Sequence, residues 1–324
     1  MSDYSNYKKD LVSGFWNYQR KTFPDWEEYL DRPFCNNSRP PVFKREFADS
    51  NVIMKPDISY TERKLLLELI PVHKRHKWFH SMSSSQALAQ SVLGNLKLEN
   101  KLHYLCEITD NDGKTIFEKD QLINESLHLE YTVDYLKEPH PTSIDAFIDG
   151  EYRVSIECKL TEWEFGSCSR PSLTPQEFNY DTDFCDGSYT FQRNRKNRCS
   201  LTSRGVLYWK YIPDILKWSK DIDYISCPLH ETYQLVRNIL AACVKSDGKL
   251  QLDKNYTVLI YDERNPAFQQ EGNGMKVFME VQKALRNPTM IRKCNWQKII
   301  RLLQTKSDLI WLTNELRRKY GFIV

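Results

Sequence analysis

The stretch "TSIDAFIDGEYRVSIECKL", residues 142–160, reads as two alternating runs around an Asp149-Gly150 turn. Asp-Gly between alternating segments is a strong short-range hairpin signal, so "SIDAFI" (143–148) and "YRVSIECKL" (152–160) are expected as adjacent antiparallel strands. Along an extended chain residues two apart share a face, which sets Glu157 beside Lys159 and turns Cys158 the other way. Asp145, on the neighbouring strand, is within cross-strand reach of them. Two carboxylates and an ammonium converging on a strand that should fill a core are costly to desolvate unless something organises them. A hard divalent cation, Mg2+ or Mn2+, is such an organiser, since it takes one or two carboxylates and keeps waters for a substrate phosphate to displace. The plainer alternative is a cross-strand charge cluster on a wet sheet face.

Spacing alone does not separate the two. Asp49 followed by Glu62-Arg63-Lys64 repeats the pattern of Asp, a dozen residues, then Glu-x-Lys. Its Glu and Lys fall in the helical period of "TERKLLLELI" (61–70), where residues two apart diverge by about 200°.

Outward from the hairpin, 126–135 ("SLHLEYTVDY") alternates as a strand does, and Glu130 shares parity with His128 and Thr132. Upstream, "SMSSSQALAQSVLGNL" (81–96) is expected as a helix capped by its serines and ended by Gly94, with Gln86 near its start. Residues 61–70 form a short helix stopped by Pro71, 35–60 a polar connector, and 7–31 two helical pieces broken at Pro24. Downstream, about forty residues (161–200) show no period, and loops that long are usually functional or carry an insertion. Helical patterns follow at 199–218 and 227–244, then "YTVLIYD" (256–262), a strand covered on both faces, and helices at 275–286, 296–304 and 307–319. The order gives an α/β protein: an N-terminal extension and connector at 1–60, then one domain at 61–324 with an irregular, cysteine-containing insertion at about 161–200.

Composition bounds the class. The 324 residues are 40% apolar and 27% charged, as in soluble globular proteins. No apolar run reaches the roughly 18 residues of a membrane span, and no secretory signal opens the chain, so the cytoplasm is the default address. Nine cysteines, an odd number without tight spacing, fit reduced thiols better than a disulfide framework. Cys168, Cys185, Cys199 and Cys227 surround the irregular stretch, where either a stapling Zn2+ or iron-sulfur cluster or plain thiols would account for them. The net charge of +3 says little, but "HKRHK" (73–77) and "RNRKNR" (193–198) are basic runs able to meet phosphates, through Arg193, Arg195, Lys196 and Arg198, or simply solvated faces. Arg204 and Tyr208, four apart on an expected helix, are neighbours that would reach a substrate backbone or serve surface and core.

With "SSSQALAQSVLGNL" before it and "GVLYW", "CPLHETYQLVRNILAA" and "VLIYDERNPAF" after it, "SIDAFI...VSIECKLTE" resembles the PD-(D/E)xK nuclease superfamily, and within it a bacterial restriction-endonuclease-like group, over roughly residues 80–268. The resemblance implies a restriction-endonuclease-like core, a central mixed sheet flanked by helices. It also implies metal-dependent hydrolysis of DNA by an endonuclease of restriction, repair or defence. Asp145 and Glu157 would then bind the metal, with the Cys158 main-chain carbonyl as a further ligand, and Lys159 would assist the attacking water. Gln86 or Glu130 would be the accessory residue. One departure stands out: the segment before Asp145 reads "HPTSID", without the adjacent proline of the superfamily's name. A homodimer that cuts two strands is left open, as is a module that keeps the fold and binds nucleic acid or a partner without chemistry.

Overall fold

The Asp149-Gly150 hairpin lies in a five-stranded sheet of the computed structural model, which describes residues 2–34, 36–110, 112–118, 126–168, 173–189 and 195–322. The strands β1 (Leu127–Thr132), β2 (Ser143–Asp149), β3 (Arg153–Cys158), β4 (Tyr256–Tyr261) and β5 (Ile291–Asn295) neighbour one another in that order. The first three run antiparallel through short connections. The steps from β3 to β4 and from β4 to β5 are parallel and cross over through helices, as parallel pairs require.

The central strand β3 is buried along its whole length, because helices cover both faces. Val154, Ile156 and Cys158 point into one apolar layer, shared with the helices Ser2–Thr22, Trp296–Gln304 and Ile310–Tyr320. The opposite face packs on Tyr208–Ile215, Leu229–Cys243 and Asn273–Ala284. There Ser155 Oγ donates to the Asn238 carbonyl at 2.8 Å, tying β3 to the helix Leu229–Cys243. No described helix is long and apolar enough to cross a membrane.

Packing does not break near residue 60. The helix Ser2–Thr22 sends Tyr7, Leu11 and Phe15 into the same layer as the sheet, and Phe15 meets Tyr320 edge to face at 5.8 Å. The polar stretch expected as a connector is also anchored, by bridges from Leu30 to Phe43 and from Val42 to Ser81.

The elements depart from expectation at three places. Gly94 does not end its helix: Ser84 caps the start at the Ala87 amide, and Ser85–Ala89 continues through a π turn, Gln90–Gly94, into Asn95–Leu98. Gly94 is small because Leu66 lies against it, where an added Cβ would sit 2.8 Å from Leu66 Cδ1. The helix expected over 199–218 is two, Ser200–Ser203 and Tyr208–Ile215, separated at Gly205 with a φ of 92°. Arg204 and Tyr208 are therefore not neighbours on one helix. The strand β5 was not expected at all. The Asp49 decoy also resolves: Glu62 closes a capping box with Ser59, and Asp49 pairs with Arg75 at 2.7 Å.

Candidate active site

Strand register sets the site. On either side of Glu130, Leu129 pairs with Ala146 and Tyr131 with Ile144, so Glu130 lies opposite Asp145. Ala146 pairs with Ile156, and one step further Asp145 lies opposite Glu157. Three carboxylates thus form a row across three adjacent strands, where directly opposed like charges are destabilising. The ladder is strained at this row, since Glu130 holds a φ of 50° in the middle of β1.

Each carboxylate has protein donors. Asp145 Oδ2 accepts the Cys158 amide at 2.7 Å. Glu157 Oε1 accepts Gln234 Nε2 at 2.7 Å and pairs with Lys159 Nζ at 2.9 Å, while Oε2 accepts Asn238 Nδ2 at 2.7 Å. Lys159 Nζ also donates to Gln234 Oε1 at 3.0 Å and lies 5.4 Å from the Phe165 ring. The Lys159 carbonyl accepts Trp296 Nε1, which fixes the chain just beyond β3.

Burial pushes Glu130 up to about 7, with Glu157 adding to it and Gln86, Ser143 and Lys74 opposing. Burial also raises Asp145 well above the usual carboxylate range, reinforced by Glu157 and Glu130. Burial opposes the charge on Lys159, but Glu157, Glu162 and Asp145 outweigh it and hold the ammonium above its ordinary range. The row is a concentration of negative charge with Lys159 paired to Glu157 and Lys74 near its Glu130 end.

These groups open into a cleft of about 620 Å³, whose facing wall brings Arg39, His76, Trp78 and Ser81. A larger depression of about 820 Å³, lined by Glu263, Glu271 and Glu280 together with Lys276, Lys283 and Lys293, lies away from the carboxylate row. A family model described as "Restriction Endonuclease associating with ARP" matches residues 20–321. The chain belongs to that family. No curated protein and no solved structure matches it.

In this member of the family, Asp145, Glu157, Lys159, Glu130 and Gln86 all line one cleft. Gln86 bridges the opposite loop, accepting the His76 amide at 2.9 Å and donating to the Lys74 carbonyl at 3.2 Å. Cys158 lines the cleft too, yet its side chain belongs to the apolar layer behind the sheet, which leaves its main chain for the cleft. Cys168, Cys185, Cys199 and Cys227 line a separate, small cavity.

The described residues among those expected to bind phosphate lie elsewhere. Arg193 lies outside the described residues. Arg195 donates to the Phe184 and Tyr180 carbonyls at 2.5 and 3.2 Å, Arg198 pairs with Asp223 at 2.6 Å and Arg204 with Asp183 at 3.3 Å; Lys196 is exposed. Of the described ones, Arg195, Lys196, Arg198 and Arg204, none lines the cleft.

Sequence reasoning missed Gln234 and Asn238. They are four apart on the helix Leu229–Cys243, hence on one face, and that face meets β3. An amide pair at that spacing inside "HETYQLVRNILAA" was the available signal. Glu162 was also missed; it accepts Ser85 Oγ and the Leu160 amide, each at 2.6 Å, and so joins the serine-rich helix start to the end of β3.

Proposed function

We propose that this chain is a divalent-metal-dependent nuclease that hydrolyses phosphodiester bonds of DNA, an endonuclease of restriction, repair or defence. The observation that carries this is the row Glu130, Asp145, Glu157, with Lys159 beside it, in a cleft with room for a nucleotide. The family's description, which names restriction endonucleases, supports DNA as the substrate.

The donor set fits a hard divalent cation. Carboxylates that burial and mutual repulsion drive toward protonation regain their charge when a cation neutralises them. Among the described residues, no three His, Cys, Asp or Glu side chains are set to hold an ion as they stand, and the oxygens take protein donors. Asp145 and Glu157 would hold Mg2+ or Mn2+, with the Cys158 carbonyl as a further ligand. A cation there supplies Lewis-acid polarisation of a phosphoryl oxygen and a more acidic water.

The protein's own part is positioning. Gln234 and Asn238 fix both oxygens of Glu157, and Glu157 keeps Lys159 charged beside the reacting phosphate, where a positive point charge stabilises developing negative charge. Arg39 and the hydroxyls of Ser81 and Ser83 face the row and offer donors to flanking phosphates. The test is plasmid relaxation by purified protein with Mg2+ or Mn2+. Asp145→Ala, Glu157→Ala and Lys159→Ala should each lower the rate by about a hundredfold or more. Undiminished cutting by all three variants refutes the assignment.

One observation favours a second reading, a binding module of the same fold without chemistry: both Glu157 oxygens are already taken by neutral amides and Lys159. Salt-sensitive DNA binding without cleavage under any divalent cation would select it.

A further inference from the structure

Four cysteines that are far apart in sequence converge outside the cleft. Cys168, Cys185, Cys199 and Cys227 line one cavity of about 10 Å³, together with Tyr189 and His230. That is the volume of about one water-sized body. Cys185, Cys199 and Cys227 are not in disulfides. Cys199 and Cys227 are raised by burial, Cys227 to about 11, and Cys185 acts on both in the same direction.

The cavity sits where the irregular segment is tied down. Around it the Cys168 amide donates to the His230 carbonyl at 2.8 Å, the Cys227 amide to the Gly187 carbonyl at 2.6 Å, and the Tyr189 amide to the Tyr224 carbonyl at 2.8 Å. The described part of 161–199 holds one helix of four residues, Tyr180–Asp183, and no strand. A segment with so little regular structure is where a metal staple adds most to folding.

We propose that Cys168, Cys185, Cys199 and Cys227 form a tetrathiolate site for one Zn2+, which fastens the segment to the start of the helix Leu229–Cys243. A void of that size suits a single ion, and the four cysteines lining it match the sulfur-only ligand set of tetrahedral Zn2+. Binding converts four thiols to thiolates and releases four protons per ion. Neutral thiols pack as small apolar groups and keep apart, in line with the absence of an ion-ready group among the described residues. Deprotonation and coordination therefore go together, since a buried thiolate without the cation would be costly. None of the four lines the cleft, so the site is structural and independent of the nuclease reading.

Full-length protein from zinc-supplemented cells, measured by elemental analysis, should carry about one Zn2+ per chain, and Cys199→Ser and Cys227→Ser less than about a fifth of that. Exchange with Co2+ should give the intense thiolate charge-transfer and tetrahedral d–d bands of a sulfur-only site. If the serine variants do not fold, thiol titration of the wild type decides: zinc release should follow modification of these four cysteines. Asp145→Ala should keep its zinc whether or not it cuts DNA, which separates this site from the catalytic one. A folded wild type without zinc, zinc content unchanged in Cys199→Ser, or the colour of bound iron would overturn the proposal.

Discussion

Glu130 combines a φ of 50° with burial and a carboxylate opposite it, which stores on the order of 1–3 kcal/mol of backbone strain at the row. Its folded pKa, about 7, stands above the ordinary 4.5. Between those values the folded state binds more protons than the unfolded one, so stability falls as pH rises through that window. Urea unfolding without divalent cations should show this decline from about pH 4.5 to about pH 7. Glu130→Gln should flatten part of it; Asp145, raised in the same way, keeps the rest. A slope identical in Glu130→Gln would reject the role given to this carboxyl. Asn238 supports a second prediction: Asn238→Leu strips Glu157 Oε2 of its buried donor and should cost about 1–3 kcal/mol in the same assay. That Asp145, Glu157 and Lys159 come together was legible in the sequence, because strand alternation and the hairpin put them on one face. Gln234 and Asn238 were not, because polar residues on an amphipathic helix are read first as its solvent side, and here they face the sheet.

Elements were legible where period and turn chemistry agreed. The Asp149-Gly150 hairpin and the β-branched run of β4 gave their strands almost to the residue. The five-residue edge strand β5, "IRKCN", carries too few apolar residues to show a period, and its place comes from parallel pairing with β4. Glycines divide in the same way between intrinsic and tertiary causes. Gly14, within Ser2–Thr22, has nothing near an added Cβ, so Gly14→Ala should stabilise by about 0.5–1 kcal/mol through helix propensity alone. Gly272 begins the helix Asn273–Ala284 against the Pro266–Phe268 turn, where an added Cβ would lie 2.1 Å from the Pro266 carbonyl oxygen. Backbone cannot move aside as a side chain can, so Gly272→Ala should destabilise by about 1–3 kcal/mol. Thermal unfolding of the two variants should shift in opposite directions, and a shared sign would contradict the packing at one of them.

At the scale of the whole molecule, the helix Ser2–Thr22 lies almost entirely before the span that matches the family, 20–321, yet it completes the core behind the sheet. Its Tyr7 hydroxyl donates to the Leu160 carbonyl at 2.7 Å and to Asp262 Oδ2 at 3.0 Å, next to the end of β3 that presents Lys159. Tyr4 donates to the Thr161 carbonyl at 2.5 Å. Removing residues 1–22 would uncover the partners of Tyr7, Leu11, Val12, Phe15 and Trp16 and leave Asp262, fully buried, with fewer donors. At ~1.5–3 kcal/mol for each buried side chain the loss reaches ~10 kcal/mol, comparable with the whole stability of a typical domain. The full chain should therefore unfold in a transition that includes the helix. The truncated chain should lose cooperative unfolding and, with the end of β3 no longer held, its divalent-cation response. Circular dichroism melts of both, with and without Mg2+, test this. A truncated chain that melts at the full-length temperature would make the helix an appendage, as the composition of 1–60 suggests when read alone.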